Sequence, residues 1–74
     1  MVKTQNIDSA LLDQAIADSG LKTNYIAERL GLSRQGFDKK RKGKISFRLS
    51  EVYVMADLLR LSDEKKDLIF FPKS

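Results

Sequence analysis

The chain has 74 residues, enough for a single small domain with a modest core. It contains neither cysteine nor histidine, so disulfides, the usual zinc ligands and the commonest general base are excluded. Its net charge is +4, and no glycine-rich phosphate loop is present. We therefore expect that the protein is not an enzyme and that it binds no cofactor, metal or small-molecule ligand. With no apolar run of about 18 residues and no signal-like start, we expect a cytoplasmic protein with no membrane partner.

The positive charge is concentrated between Lys22 and Arg48. This segment holds nine basic and two acidic residues, a net charge of +7, and the rest of the chain carries −3. Such a concentration is typical of a polyanion-binding site. The alternative is a cationic face that meets only solvent. The basic residues are Lys22, Arg29, Arg34, Lys39, Lys40, Arg41, Lys42, Lys44 and Arg48.

The apolar spacing predicts an all-α chain with five short helices and no strand. Residues 1–6 show no period and are predicted to form a flexible arm. Either Asn6 or Asp8 caps the first helix, which runs to about Ser19 and is stopped by Gly20. Its apolar face is predicted to consist of Ile7, Leu11, Leu12, Ala15 and Ile16.

The second and third helices are predicted from paired caps and stops. Thr23 is the expected N-cap of the second helix, and Gly31 ends it. Ser33 is the expected N-cap of the third helix, and Gly43 closes it. Ala27 is small enough for a close helix crossing. The predicted core of this pair of helices is Ile26, Ala27, Leu30, Gly31 and Phe37.

The last third of the chain predicts two more helices. Ile45 and Phe47 are expected to fold onto the core before the fourth helix, from Leu49 to about Arg60. The core stripe of that helix is predicted to be Leu49, Val52, Met55, Ala56 and Leu59. Ser62 caps the fifth helix, residues 63–70, and residues 71–74 form a tail.

Four consecutive apolar residues end the fifth helix. Adjacent residues point to different sides of a helix, so these side chains cannot all face one core. Exposed apolar neighbours usually mark an interface, and we predict a homodimer contact here. The alternative is that the chain folds back and buries Phe71 against Ile45 and Phe47. The candidate dimer residues are Leu68, Ile69, Phe70 and Phe71.

The chain resembles the Cro/cI-type (phage repressor-like, XRE) helix-turn-helix family, and most of all its small phage and prophage members. The residues that carry the resemblance are Ile26, Ala27, Leu30, Gly31, Leu32, Ser33, Arg34, Phe37, Gly43 and Lys44. It implies a five-helix lambda-repressor-like domain over residues 1–74, with helices 2 and 3 forming the helix-turn-helix. It also implies a repressor that binds partly palindromic duplex DNA as a dimer. Lys40 and Arg41 depart from the family, where an apolar and an acidic residue are common.

Helical phase gives candidate DNA contacts on the third helix. With Phe37 inward and steps of about 100° per residue, Gln35, Lys39 and Lys42 point outward. Asp38 either accepts from a cytosine amino group or pairs with Arg34 or Lys42 within the helix. The base-reading candidates are Arg34, Gln35, Asp38 and Lys39. The backbone-contact candidates are Lys22, Thr23, Asn24, Ser33, Lys42 and Lys44.

Two questions stay open at the level of sequence. Gly36 interrupts a helix, where glycine costs about 1 kcal/mol relative to alanine. Either it lets the backbone approach DNA closely, or a larger residue would strike a neighbouring element.

The alternative function is a protein-binding antirepressor that uses its apolar C-terminal end to bind a repressor. A steep loss of affinity with salt would favour DNA over this alternative.

Overall fold

The computed structural model describes residues 7–72. These residues form five α-helices: α1 (Ser9–Ser19), α2 (Thr23–Arg29), α3 (Arg34–Arg41), α4 (Leu49–Leu58) and α5 (Asp63–Phe70). No strand occurs between residues 7 and 72, so the all-α prediction with five helices is confirmed. None of these helices is long and apolar enough to span a bilayer. The predicted arm at residues 1–6 lies outside the described part of the chain.

Three of the helices begin at a side-chain N-cap. Asp8 accepts from the Leu11 N–H at 3.1 Å and caps α1. Ser33 and Ser62 cap α3 and α5 in the same way, each accepting at 3.0 Å from an N–H three residues on. The N-cap predicted at Thr23 is wrong. Because the extended backbone ends at Lys22, Thr23 is already the first residue of α2, and no side chain caps that helix.

Three helices end in the same left-handed turn. After α2, the Gly31 N–H donates to the Glu28 carbonyl, and the next N–H donates to the Ala27 carbonyl. Gly43 closes α3 with the same pair of bonds, and both glycines have φ above +70°. At the end of α4 the equivalent residue is Arg60, with φ of 55°. This stop ends α4 two residues before the boundary predicted from the sequence.

The core is built around three aromatic rings. Phe47, in the loop after α3, packs edge-on against Phe37 of α3 and Phe70 of α5, at centroid distances of 6.3 and 5.6 Å. Of the predicted core of α2 and α3, Ile26, Ala27 and Phe37 are buried, whereas Leu30 is only half-buried and Gly31 is exposed. The residues fully buried in the core are Leu12, Ile26, Phe37, Val52, Met55, Ile69 and Phe70.

Besides Gly31, two large apolar residues predicted to be in the core are exposed. Ile45 and Leu49 keep 47% and 57% of their surface. The loop places Phe47, two residues after Ile45, in the aromatic cluster, so Ile45 stays outside. The inward positions of α4 are taken by Glu51, Val52 and Met55. Leu49 consequently lies on the outer side of that helix.

The apolar end of α5 is divided between the core and the surface. Ile69 and Phe70 are fully buried, so their prediction as dimer contacts is wrong: the core already covers them. Leu68 and Phe71 remain 53% and 44% exposed. The alternative, in which Phe71 is buried against Ile45 and Phe47, is also wrong, because Phe70 occupies that position. The Asp8 N–H donates to the Ile69 carbonyl at 2.8 Å and ties this end to α1.

Candidate nucleic-acid interface

The position of α3 is fixed by Phe37, whose side chain is fully buried. Residues 30–33 connect α2 directly to α3, and the two helices pack against each other. Gln35 and Lys39 lie on the side of α3 opposite Phe37, and both are exposed. Lys42 follows at the C-cap and is also exposed. The outward face predicted from helical phase is therefore present.

The lysines on and around this face have no acidic partner. Within residues 7–72, no ion pair involves Lys22, Lys39, Lys42 or Lys44. All four side chains are exposed. Their positive charge is therefore uncompensated at short range, and phosphate groups are the kind of ligand it would attract.

Lys40, next to this group, points the other way. Its Nζ donates to Glu51 Oε1 at 2.7 Å, and the two side chains are only 12% and 11% exposed. Glu51 also accepts from the Arg48 N–H at 2.9 Å. Burial raises the pKa of Glu51, but these two hydrogen bonds and the positive charges of Lys40 and Arg48 together outweigh it and hold the pKa below the usual value. Lys40 thus joins α3 to α4 and does not belong to the outward face.

Arg41 joins α3 to α1. Its Nη2 donates to Asp38 Oδ1 at 2.9 Å, and its Nη1 donates to Asp13 Oδ1 at 3.0 Å. The hydrogen bond to Asp38 is the main reason that the pKa of Arg41 is raised. The Ser9 hydroxyl donates to the Arg41 carbonyl at 3.0 Å. These contacts give Arg41 a structural role between α1 and α3 that its position in the sequence did not indicate.

Arg34 is held at the first turn of α3. Its Nη1 donates to Asn24 Oδ1 of α2 at 2.7 Å. Its Nε lies 3.5 Å from Asp38 Oδ2, so Asp38 engages Arg34 and Arg41 through different oxygens. The hydrogen bond from Arg41 is the main reason that the pKa of Asp38 is lowered. Of the two ion pairs predicted for Asp38, the one with Arg34 is present and the one with Lys42 is not.

The candidate backbone contacts fall into two groups, one at each end of α3. Lys22, Thr23 and Asn24 line a shallow depression together with Arg34, near the start of α3. Lys42 and Lys44 lie at the C-terminal end of α3. The Ser33 hydroxyl is exposed although it caps α3. The depression thus brings the start of α2 beside the start of α3.

A Cβ added at Gly36 would meet only the N-cap of its own helix. A Cβ at this position would lie 3.2 Å from Ser33 Oγ, the N-cap hydroxyl of the same helix, and no atom of another element is nearby. An alanine here would therefore meet no neighbouring element, and the clash of a larger side chain stays a prediction. The first explanation, a close approach to DNA, stays a prediction.

An apolar groove lies away from α3, where α1 begins and α5 ends. Leu11, Leu68, Phe71 and Pro72 line it, and its volume is about 490 Å³. Its rim also carries the carboxylates of Asp8, Glu64 and Asp67. Leu68 and Phe71 thus remain candidate contacts for a partner, and acidic residues surround them.

Three more large apolar residues are exposed, Ile45 in the loop before α4 and Leu49 and Tyr53 one turn apart on α4. Ile45, Leu49 and Tyr53 recur every four residues and are 47–57% exposed. The four-residue spacing of Leu49 and Tyr53 is visible in the sequence, but it does not tell which side of α4 faces the core.

Comparisons of the chain with protein-family models, with curated proteins and with solved structures find no match. The resemblance to the Cro/cI-type family therefore stays a prediction that depends on the residues themselves. Between residues 7 and 72 there is no cluster of three acidic side chains placed to hold a metal ion.

Proposed function

We propose that the chain is a sequence-specific regulator that binds double-stranded DNA, with α2 and α3 as a helix-turn-helix of the Cro/cI type. The observation that carries the proposal is the division of charge on α3. Lys40 and Arg41 are neutralised by Glu51, Asp13 and Asp38 on the inner side. Lys39 and Lys42, which form no ion pair within residues 7–72, lie on the outer side with Gln35, facing away from Phe37.

In this proposal α3 lies in the major groove. Gln35 and Lys39 are exposed one turn apart on its outer face and meet the base edges. Glutamine makes paired hydrogen bonds to adenine, and lysine or arginine bonds to guanine O6 and N7. Arg34 reaches the next base pair from the first turn. The missing side chain at Gly36 allows the backbone of α3 to come close to the DNA.

The phosphate contacts are proposed at both ends of α3. Lys22 and Thr23 meet one strand from the start of α2, and Lys42 and Lys44 meet the other end of the same half-site. The exposed Ser33 hydroxyl adds a contact to a phosphate oxygen. These contacts fix the register of α3 but carry no sequence information themselves.

One helix of this length reads too few bases for a unique site. We therefore propose binding as a homodimer to a partly palindromic operator, with half-sites about one turn of DNA apart, ~34–36 Å. Occupation of a promoter by such a dimer would repress transcription in the manner of Cro-like proteins of phages and prophages.

Selection from random duplexes by the full chain tests the proposal. We expect enrichment of one motif with two related half-sites, and an affinity for it that falls steeply with salt as counterions are released. Recovery of unrelated sequences, or an affinity that does not change with salt, would contradict the proposal.

The acid-rimmed groove favours one alternative, a protein-binding antirepressor. Leu68 and Phe71 would then contact a repressor, and α3 would have no base-reading role. This alternative predicts that Phe71→Ala abolishes partner binding and that Gln35→Ala and Lys39→Ala leave it unchanged. Sequence-selective DNA binding that depends on Gln35 would contradict it.

A further inference from the structure

Arg34 is the base-reading candidate whose side chain is already fixed in the DNA-free protein. Its guanidinium contacts Asn24 through Nη1 and Asp38 through Nε. The lysines of the outer face have no such partner in the described residues. One long side chain of the proposed interface is therefore ordered and the others are free.

The support behind Arg34 extends across three helices. Asn24 belongs to α2, Asp38 to α3, and Asp38 is itself held by Arg41, which Asp13 of α1 anchors. Two arginines and two aspartates alternate along this chain of contacts, so it adds no net charge to the surface. Its contribution is to geometry and not to the attraction of phosphate.

The remaining donors of Arg34 suit a guanine. A guanidinium has five N–H donors in a planar fork, and the two contacts in the structure leave several of them unengaged. Arginine bonds to guanine through two such donors at once, which requires a defined orientation of the plane. A side chain already held in place loses less conformational freedom on binding than a free one.

We infer that Asn24 and Asp38 are positioning residues that hold the Arg34 guanidinium for the recognition of one G·C pair, and that neither contacts a base itself. The inference rests on the proposed DNA-binding function and revises two of the contacts predicted from the sequence. Asn24 is assigned to Arg34 and not to phosphate, and Asp38 to Arg34 and not to cytosine.

Asn24→Ala gives the sharpest test, because it removes the Arg34 acceptor without changing charge. On duplexes that carry each base at every position of the selected site, we expect this variant to lose preference at one G·C pair by about 2- to 10-fold. Gln14→Ala is the matched control, since Gln14 is an exposed amide on α1 whose only side-chain partner among residues 7–72 is Asp18. We expect the control to bind like the wild type at every position.

Asp38→Asn separates positioning from a merely structural role. Removing a carboxylate near the DNA raises the affinity for random duplexes, whereas loss of the Arg34 contact lowers the preference at the same G·C pair. A variant that is only less stable would lose both. In the Arg34→Ala background, Asn24→Ala should have no further effect on that preference.

A measurement on the free protein completes the test. In the wild type the NMR signals of the Arg34 Nη–H groups should be resolved, because the contact with Asn24 slows rotation of the guanidinium. In Asn24→Ala they should approach the averaged signal of an exposed arginine. Unchanged base preference in Asn24→Ala, equal weakening on all duplexes, or additivity with Arg34→Ala would overturn the inference and leave the proposed function standing. If the wild type has no base preference on any duplex, both are overturned.

Discussion

Lys40 Nζ lies 2.7 Å from Glu51 Oε1, and the two side chains are almost completely buried between α3 and α4. This pair sets the rotation of α3 together with Phe37. It withdraws one lysine of a run of four basic residues from the surface, and Arg41 is withdrawn by Asp13 and Asp38. Of this run, only Lys39 and Lys42 remain exposed on the outer face of α3.

The buried pair makes a prediction about acid stability. The pKa of Glu51 is lower in the folded state than in the unfolded state. The stability that ionised Glu51 contributes is therefore complete above the unfolded-state pKa, and it is lost as the pH falls through the lower, folded-state pKa. Glu51→Gln should lower the free energy of unfolding at pH 7 by about 3 kcal/mol, because Lys40 is left buried and unpaired. Its stability should also change less than that of the wild type below about pH 4.3.

Urea unfolding at a series of pH values measures this effect. Asp57→Asn is the control, since Asp57 is exposed on the same helix and forms no ion pair with residues 7–72. Equal stability of Glu51→Gln and the wild type at pH 7 would show that the pair contributes nothing.

Arg60 predicts a stabilising substitution. It holds the left-handed conformation that costs a non-glycine residue about 1–2 kcal/mol. Arg60→Gly should raise the free energy of unfolding by about 0.5–1 kcal/mol, because the greater freedom of glycine in the unfolded chain cancels part of the gain. Gly31→Ala is the converse variant. The added Cβ would have no atom within 4 Å, so the variant should lose stability only because alanine is strained at a positive φ. Thermal unfolding in which Arg60→Gly melts below the wild type would refute the prediction.

The phosphate contacts predict a change in salt dependence. Lys22→Ala and Lys44→Ala should each weaken specific and random duplexes alike, and reduce the slope of log K against log salt by about one unit. Lys65→Ala is the control, since this exposed lysine lies on α5. The measurement is the affinity of each variant for duplex DNA from low to moderate salt. A salt slope equal to that of the wild type would exclude a phosphate contact by the substituted lysine.

The proposed dimer has its own salt dependence. A two-fold contact through Leu68 and Phe71 would bring the carboxylates of Asp8 and Glu64 close to their symmetry mates, whereas Asp67 is paired with Lys66. Salt screens such repulsion, so self-association should strengthen with salt while DNA binding weakens. Sedimentation at tens of micromolar measures it, with Phe71→Ala expected to be monomeric and Leu49→Ala to behave like the wild type. A wild type that stays monomeric both at high salt and on a palindromic site excludes this interface.

The sequence predicted the five helices because caps, glycine stops and apolar spacing agree at almost every boundary. It also predicted the outward positions of Gln35 and Lys39, which follow from the single anchor at Phe37. It could not predict the partners of Lys40 and Arg41, since those depend on where α1 and α4 cross α3. For the same reason it could not tell which of Ile69, Phe70 and Phe71 meets the core.

The most direct test of the account compares Gln35→Ala and Lys39→Ala with the wild type on the selected duplex and on a scrambled one. Both side chains lie on the outer face of α3, away from its ion pairs, so the fold should be unchanged. We predict a loss of about 1–3 kcal/mol on the selected duplex, confined to particular base pairs, with a smaller loss on the scrambled one. Equal losses on the two duplexes, or none on either, would contradict the claim that α3 reads DNA sequence.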